Sequence, residues 1–263
     1  MNRSIHEITN LLDQLGVGYE YQGDPGLILS KLVAWDEFAQ DAELSFYKGG
    51  DLDLLAKKGE DIDSCVLVKD EIKSQSTAGN LLYVRDPHLT FIYIARLFMT
   101  MPKAQLAASA IVHEKTKLGE GVSIQEGAIV GACTIGNNVT IGPGAIIAEN
   151  CVIGDNVQIM AGANLGEAGL GSIIDQKGDH ILFPHLRKLI IKNDVVIGAG
   201  TIINRGSLRH TIIEEKVHIS GQCFIGHNCQ IGKGSYLAAG ASLAGSAVIG
   251  ERCYLGMRSQ VKE

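Results

Sequence analysis

The sequence predicts a mainly β protein in which a parallel β-helix follows a small α/β domain. Two observations lead to this prediction. From residue 188 to residue 261 an aliphatic side chain returns at almost every sixth position, and before residue 100 short apolar runs alternate with polar stretches of helical spacing. A six-residue period fits neither a helix nor simple strand alternation. Each repeat is therefore interpreted as a short strand followed by a corner.

The first 100 residues begin with a predicted helix. Ser4 and Glu7 have the spacing of a capping box, apolar residues from Ile5 to Leu15 share one face, and Gly16 follows them. Further along, the composition predicts strands in LILSKLVAW, CVLVK and NLLYVRD and a helix in FIYIARLF. Strands that alternate with helices indicate a small α/β domain over residues 1–100. A connector around Pro102 follows it.

Two runs of hexads fill residues 101–263. The aliphatic residues of the first run are Leu118, Ile124, Val130, Ile135, Ile141, Ile147, Ile153 and Ile159. Those of the second run are Ile191, Ile197, Ile203, Ile213, Ile219, Ile225, Ile231, Leu237, Leu243, Ile249, Leu255 and Val261. The stretch from about 161 to 187 lacks the period and is predicted to be a loop inserted into one solenoid, whose repeats contact only their neighbours.

Composition supports the solenoid and excludes some partners. Of 263 residues, 46% are hydrophobic, 32 are glycine and only 5 are proline. The net charge of −6 without a basic tract argues against nucleic-acid binding. The N-terminus has no apolar signal core, and no stretch has the length and apolar character of a membrane span.

The cysteines are expected to be structural. Five of the six lie two residues before a ladder aliphatic, a position for a small buried side chain. No CxxC pair occurs, so neither a disulfide nor a zinc site is expected. Free thiols fit a reducing cytoplasm. We also expect no metal site, because only His227 is suitably placed for a set of histidines in adjacent coils.

The hexads resemble those of left-handed parallel β-helix acyltransferases, in which three hexads make one coil. The left-handed sense follows from this resemblance. In the first 100 residues, ELSFYKGGD, CVLV and VRDPHLTFIYIARLF, in this order, resemble the N-terminal domain of the UDP-3-O-acylglucosamine N-acyltransferases of lipid A synthesis. The resemblance implies that this domain binds the uridine of a nucleotide sugar and that Phe46 stacks on the base.

The inserted loop also matches that family. Its segment GEAGLG contains Gly169 and Gly171, where backbone can approach a ligand closely, and FPHL contains His185. A glycine string alone is weak evidence for a binding site. The match implies that these three residues contact the substrate.

The strongest match runs from Ile202 to Gly232. It includes Arg205 with the glycine after it, and His227 with the asparagine after it. The resemblance implies that His227 is the general base, a task for which histidine is suited near neutral pH. By the same match, the substrate-binding residues would include Asn204, Arg205 and Asn228.

Three hexads, or eighteen residues, place Gly245 on His227 in the next coil. The resemblance implies that the Gly245 N–H stabilises the oxyanion. Other histidines carry less weight. His218 is predicted to point outward, and His88 and His180 have no chemical companion.

The function predicted from these residues and the resemblance is N-acyl transfer to the amino group of a UDP-linked amino sugar. The donor would be a thioester of acyl carrier protein or coenzyme A, no cofactor would be bound permanently, and the family's homotrimer is expected. Two alternatives remain. The chain stops at Glu263, before the further coils and C-terminal helices of the family, which suits an acetyl-CoA-dependent sugar N-acetyltransferase. Ser220 and Asn204 replace acidic residues of the family, which suits a non-catalytic scaffold that binds a sugar nucleotide.

Overall fold

The computed structural model describes residues 2–34, 42–47, 49, 55, 63–75, 79–99 and 104–262 of the chain. The chain divides into two compact units, residues 1–101 and residues 102–263. The predicted connector at Pro102, and the end of the predicted LILSKLVAW strand, lie outside the described residues.

The helix of the first unit, α1, spans Ile5–Gln14 and has the predicted capping box. The Ser4 Oγ accepts a hydrogen bond from the Glu7 N–H (3.2 Å), and the Ser4 N–H donates to Glu7 Oε2 (2.8 Å). Such a cap satisfies two backbone donors that the first turn leaves free. The side chains of Ile5, Ile8 and Leu12 are buried, which confirms this part of the predicted apolar face, whereas Leu15 at the C-cap is exposed.

A five-stranded sheet shares its core with α1, since Leu44, Leu67 and Leu82 pack in one cluster with Ile8. Its strands, in spatial order, are Tyr19–Gln22, Asn80–Val84, Cys65–Lys69, Glu43–Phe46 and Lys31–Leu32. The first pair is antiparallel and the other three are parallel. Further elements with described bounds are the antiparallel pair Arg3–Ser4 and Ile28–Leu29, the helix α2 over Pro87–Ala95, and 3₁₀ helices over Asp70–Gln75 and Arg96–Phe98.

The single strand predicted in LILSKLVAW is wrong. Its residues form two short strands, Ile28–Leu29 and Lys31–Leu32, which pair in different sheets. An apolar run does not encode this change of partner, because each strand is selected by contacts distant in sequence.

The second unit is a parallel β-helix with three sheet faces. The first face contains Ser123–Ile124, Thr140–Ile141, Gln158–Ile159, Val196–Ile197, His218–Ile219, Tyr236–Leu237 and Tyr254–Leu255. The second contains Ile111–Val112, Ile129–Val130, Ile146–Ile147, Asn164–Leu165, Ile202–Ile203, Phe224–Ile225, Ser242–Leu243 and Gln260–Val261. The third contains Lys117–Leu118, Thr134–Ile135, Cys151–Ile153, Leu189–Ile191, Thr211–Ile213, Gln230–Ile231 and Val248–Ile249.

The ladder aliphatics form one continuous core. Ile141 pairs with Ile159, and Ile225 pairs with Leu243, so uninterrupted coils repeat every eighteen residues as predicted. From Ile124 to Ile249 these inward side chains are buried, whereas the first residue of each two-residue pair other than Ser123 is at least partly exposed. The hexad prediction is therefore confirmed for register and, between Ile124 and Ile249, for burial, while Leu118 in the first coil is exposed.

The solenoid extends one hexad further into the loop than the sequence suggested. Asn164–Leu165 pairs with the second-face strands of the coils on either side, and Leu165 is buried. The step from Ile159 to Leu165 keeps the six-residue period, so the inserted loop covers residues 166–188 instead of 161–187. Within it, Ser172–Ile174 and His180–Leu182 form an antiparallel hairpin.

The cysteines occupy core positions. None of the six forms a disulfide, and five are buried. Burial raises the pKa of Cys151 to about 12 and that of Cys229 to about 11, so these thiols are poor nucleophiles at neutral pH. Within the described residues, no helix has the length and apolar character needed to cross a membrane.

Candidate functional site

The predicted site residues of the second unit gather at one corner of the solenoid, where the second face turns into the third, whereas Phe46 lies in the first unit. The residue two positions after each inward aliphatic forms a column along this corner. In order, it contains Glu149, Glu167, Arg205, His227 and Gly245. The inserted loop leaves the solenoid at the same corner, immediately after Leu165.

The imidazole of His227 lies over the backbone of Gly245. A Cβ at residue 245 would stand 2.6 Å from Cε1 and 2.7 Å from Nε2 of the ring, so no other residue fits without displacing it. The Ser246 N–H donates to the His227 carbonyl at 2.7 Å, which ties the two corners together. Within residues 104–262, no backbone hydrogen bond is donated by the Gly245 N–H. The predicted stacking of these two residues is confirmed.

A cavity of about 230 Å³ opens beside His227. Its walls come from the inserted loop, the corner and the slip in the hexads. The lining residues are Gly171, Ser172, Ile173, Phe183, His185, Ser207 and His227. Gly169 lies close by: a Cβ there would be 3.0 Å from His185 Nε2 and 3.1 Å from Asn204 Nδ2. Residues predicted from three separate segments are thus neighbours.

His185 is buried against His227. Its side chain is 7% exposed, and the two rings meet edge to face with centroids 5.1 Å apart. Its Nδ1 donates to the Phe183 carbonyl at 2.9 Å, because a carbonyl can only accept. Nε2 is then the acceptor, and it has no hydrogen-bond partner among the described residues. Burial lowers the pKa of His185 below its ordinary value, and His227 and Arg205 lower it further.

Arg205 lies in the corner column below His227. Its backbone N–H donates to the Glu167 carbonyl at 2.9 Å, and its guanidinium Nη1 lies 3.6 Å from Glu149 Oε1. Asn204, the residue before it, is buried with its amide near Gly169. The guanidinium charge is therefore directed along the column toward Glu149.

Asn228 is engaged by a residue that the sequence did not single out. The Ser207 N–H donates to Asn228 Oδ1 at 2.8 Å, and Asn228 Nδ2 donates to Ser207 Oγ at 2.9 Å. Ser207 lies in the slip between Ile203 and Ile213, where the period assigns no register. The sequence period therefore could not predict that Ser207 contacts Asn228.

The first unit has a cavity of its own, of about 350 Å³. It is lined by Phe46, Tyr47, Lys69, Asp86, Pro87 and His88. The Phe46 ring stacks on the His88 ring with centroids 5.1 Å apart and also contacts Phe91 at 4.9 Å. The expectation that His88 has no companion is wrong, because the sheet and α2 bring it to a residue 42 positions earlier.

Of the described histidines, only His185 and His227 line the His227 cavity. His218 is exposed on the first face, as predicted, and lines a cavity of about 370 Å³ with Ser220 and Tyr236. His180 has a companion after all, since its Nδ1 is 3.0 Å from Ser172 Oγ across the hairpin. In the described part of the chain, no group of three or more His, Cys, Asp or Glu side chains is placed to hold a metal ion.

Residues 132–167 match the family described as Bacterial transferase hexapeptide (six repeats). The chain is 33% identical over 245 residues to a UDP-3-O-acylglucosamine N-acyltransferase of Psychromonas ingrahamii, covering 85% of this chain and 70% of that one. It is 38% identical over 203 residues to UDP-3-O-acylglucosamine N-acyltransferase 2 of Legionella pneumophila, covering 63% of this chain and 54% of that one.

A crystal structure of a UDP-N-acetylglucosamine acyltransferase aligns with a TM-score of 0.52 at 24% identity. The alignment covers 60% of this chain and 62% of that one. It supports the parallel β-helix fold of the second unit.

Proposed function

Because the chain belongs to the UDP-3-O-acylglucosamine N-acyltransferase family, we propose that it transfers an acyl group from a thioester to the amino group of a UDP-linked amino sugar. The observation that carries the proposal is the His227 imidazole, which lies over Gly245 at the wall of a cavity. A base beside a backbone N–H without an identified acceptor is the arrangement that acyl transfer needs.

In this mechanism the amine attacks the thioester carbonyl directly. His227 accepts a proton from the nitrogen as the C–N bond forms, and the Gly245 N–H donates to the oxygen that becomes negative. The C–S bond then breaks, and the proton on His227 passes to the departing sulfur. The products are an amide and a free thiol.

Phe46 would stack on the uracil ring in the first unit, where aromatic stacking on a base contributes about 1–3 kcal/mol. In the second unit, Gly169, Gly171, His185, Asn204 and Arg205 would contact the sugar or its diphosphate. Asn228 was also expected to bind substrate. The hydrogen bonds of its carboxamide with Ser207 instead support a role in holding the corner.

We propose a donor with an acyl chain longer than acetyl. Acyl carrier protein and coenzyme A both present the acyl group as a thioester, so His227 does not distinguish between them. The side chains of Ile173 and Phe183 form apolar walls of the His227 cavity. Such walls suit an alkyl chain, because they remove apolar surface from water. The pathway that fits this chemistry is lipid A synthesis in the cytoplasm, and the six unpaired thiols agree with that compartment.

We also propose a homotrimer that buries the second face. The outward side chains of this face are largely aliphatic or aromatic, and four of them are exposed although large and apolar: Ile111, Ile129, Ile202 and Phe224. They form two groups on one sheet, Ile111 with Ile129 and Ile202 with Phe224, separated by Ile146 and Asn164. Exposed apolar surface gathered on one sheet is typical of an interface. His227 lies at the edge of this face, so a neighbouring copy would also enclose the site.

The test is release of free thiol in the presence of a UDP-amino sugar. The donor is either acyl carrier protein loaded with a long acyl chain or acetyl-CoA. Release should require the sugar and should fall about 10²–10⁴-fold in His227→Ala, the usual contribution of a general base. The matched control is His218→Ala, which removes an exposed histidine on another face and should retain activity. Preference for acetyl-CoA would favour the N-acetyltransferase alternative, and nucleotide-sugar binding without turnover would favour the scaffold.

A further inference from the structure

The four-residue slip in the hexads builds a structure of its own at the active corner. Between Ile203 and Ile213 the chain forms the bulge, residues 206–210, instead of a plain corner. A Cβ at Gly206 would collide with the Arg209 carbonyl oxygen, so this tight path requires glycine. The bulge interrupts the period next to the coil that carries His227.

On one side, the bulge and the strand after it hold the His227 corner. Asn228 has a left-handed backbone (φ 62°) immediately after His227. Its carboxamide exchanges hydrogen bonds with the N–H and Oγ of Ser207, at 2.8 and 2.9 Å. Its backbone N–H donates to Thr211 Oγ1 at 2.9 Å. Ser207 is only 4% exposed and Thr211 fully buried, so water cannot easily replace these bonds.

On its other side, the bulge holds the end of the inserted loop. The Leu186 N–H donates to the Ser207 carbonyl at 3.2 Å, and the Arg187 N–H donates to the Gly206 carbonyl at 2.9 Å. These donors directly follow His185, which lies against His227 in the cavity wall. Ser207 therefore links the two walls of the cavity.

We propose that Ser207 and Asn228 are positioning residues that fix His227 relative to the inserted loop. The proposal rests on the proposed function, in which His227 takes the proton of the amine. Reacting groups must be held within a fraction of an ångström, and a misplacement of about 1 Å can lower a rate on the order of 10²-fold. The bulge is thus part of the catalytic architecture.

The decisive variant is Asn228→Gly, because glycine keeps the left-handed backbone without strain and removes the carboxamide. Its matched control is Asn156→Gly. Asn156 is also left-handed (φ 58°) and donates across coils to Asp194 Oδ1 at 3.1 Å, but at a different corner. Asn156→Gly should lower the melting temperature less than Asn228→Gly, because the Asn156 side chain and its hydrogen bond are exposed to water. Only Asn228→Gly should lower kcat, on the order of 10²-fold, with little change in KM.

A conservative variant and a second measurement complete the test. Asn228→Asp keeps an oxygen that can accept from the Ser207 N–H, and it should recover part of the lost kcat. Hydrogen exchange at the Leu186 and Arg187 amides should accelerate in Asn228→Gly but not in Asn156→Gly. Equal kcat in the two glycine variants would show a structural role only. Unchanged hydrogen exchange at these amides in Asn228→Gly would overturn the link between the two cavity walls, whether or not the enzyme turns over. Absence of turnover in the wild type would instead refute the proposed function.

Discussion

The imidazole of His227 fills the space that a side chain at residue 245 would occupy. The site therefore depends on an atom that is missing, the Cβ of Gly245. Because the ring lies against backbone, its position is set by the register between coils, which hydrogen bonds on both neighbouring faces maintain.

Replacing Gly245 with alanine should displace the ring without unfolding the solenoid. A Cβ would stand 2.6 Å from Cε1 of His227, so the imidazole must move, and kcat should fall on the order of 10²-fold. Thiol release and thermal unfolding are the two measurements. The control is Gly256→Ala, since a Cβ at Gly256 meets nothing within 4 Å. Full activity in Gly245→Ala would contradict the stacked geometry.

For single residues, the six-residue period predicts only contacts between residues that it places in neighbouring coils. His227 and Gly245 are separated by three hexads, so their contact could be predicted before the structure. His185 and Ser207 lie in segments without a period, and His88 meets Phe46 through a sheet whose pairing is not local. Contacts of that kind depend on tertiary packing, which no local pattern encodes.

Among the elements, adjacent side chains of a solenoid strand point alternately to the core and to the surface. Ile190 and Ile191 illustrate this in the third face, since Ile191 is buried and Ile190 is partly exposed. The same residue type at adjacent positions thus experiences two environments. Burial, more than residue type, decides the energetic consequence of truncation.

Ile191→Ala should lower the free energy of unfolding by about 2–5 kcal/mol, through lost burial and the cavity left behind. Ile190→Ala should cost clearly less, because its side chain retains contact with water. Chemical denaturation of both variants, compared with wild type, measures the difference. Equal losses would mean that the inward and outward assignments of this strand are incorrect.

For the whole molecule, the second face is notable because four of its outward side chains are large, apolar and exposed. Phe224 and Ile111 are exposed there although they are large and apolar. Exposed apolar residues scattered singly need no explanation, but several of them on one sheet do. Proteins usually cover such a surface with another copy or another chain.

Phe224→Glu should therefore dissociate the proposed trimer, because a charge would be buried without a partner. Sedimentation velocity should show a shift from trimer to monomer. Val248→Glu is the control, since Val248 is equally apolar and more exposed but lies on the third face. A trimer that survives Phe224→Glu would place the interface elsewhere.

The architecture of the solenoid could be predicted almost completely, because one constraint is repeated in each coil. The small α/β domain could be predicted only as a class, and its sheet order came from the structure. The error at the start of the inserted loop had a different origin. Leu165 does keep the period, but the glycines around it and the loop after it conceal this hexad.

The departure and return of the inserted loop have a consequence for how this chain could change. Leu165 and Ile191 are 26 positions apart, and removing residues 166–185 would leave the six-residue step between the inward aliphatics of two successive hexads. The loop is thus a replaceable insertion at one corner of the solenoid. Exchanging this insertion would alter what the corner recognises while the solenoid keeps its own register, so selectivity and folding can evolve separately.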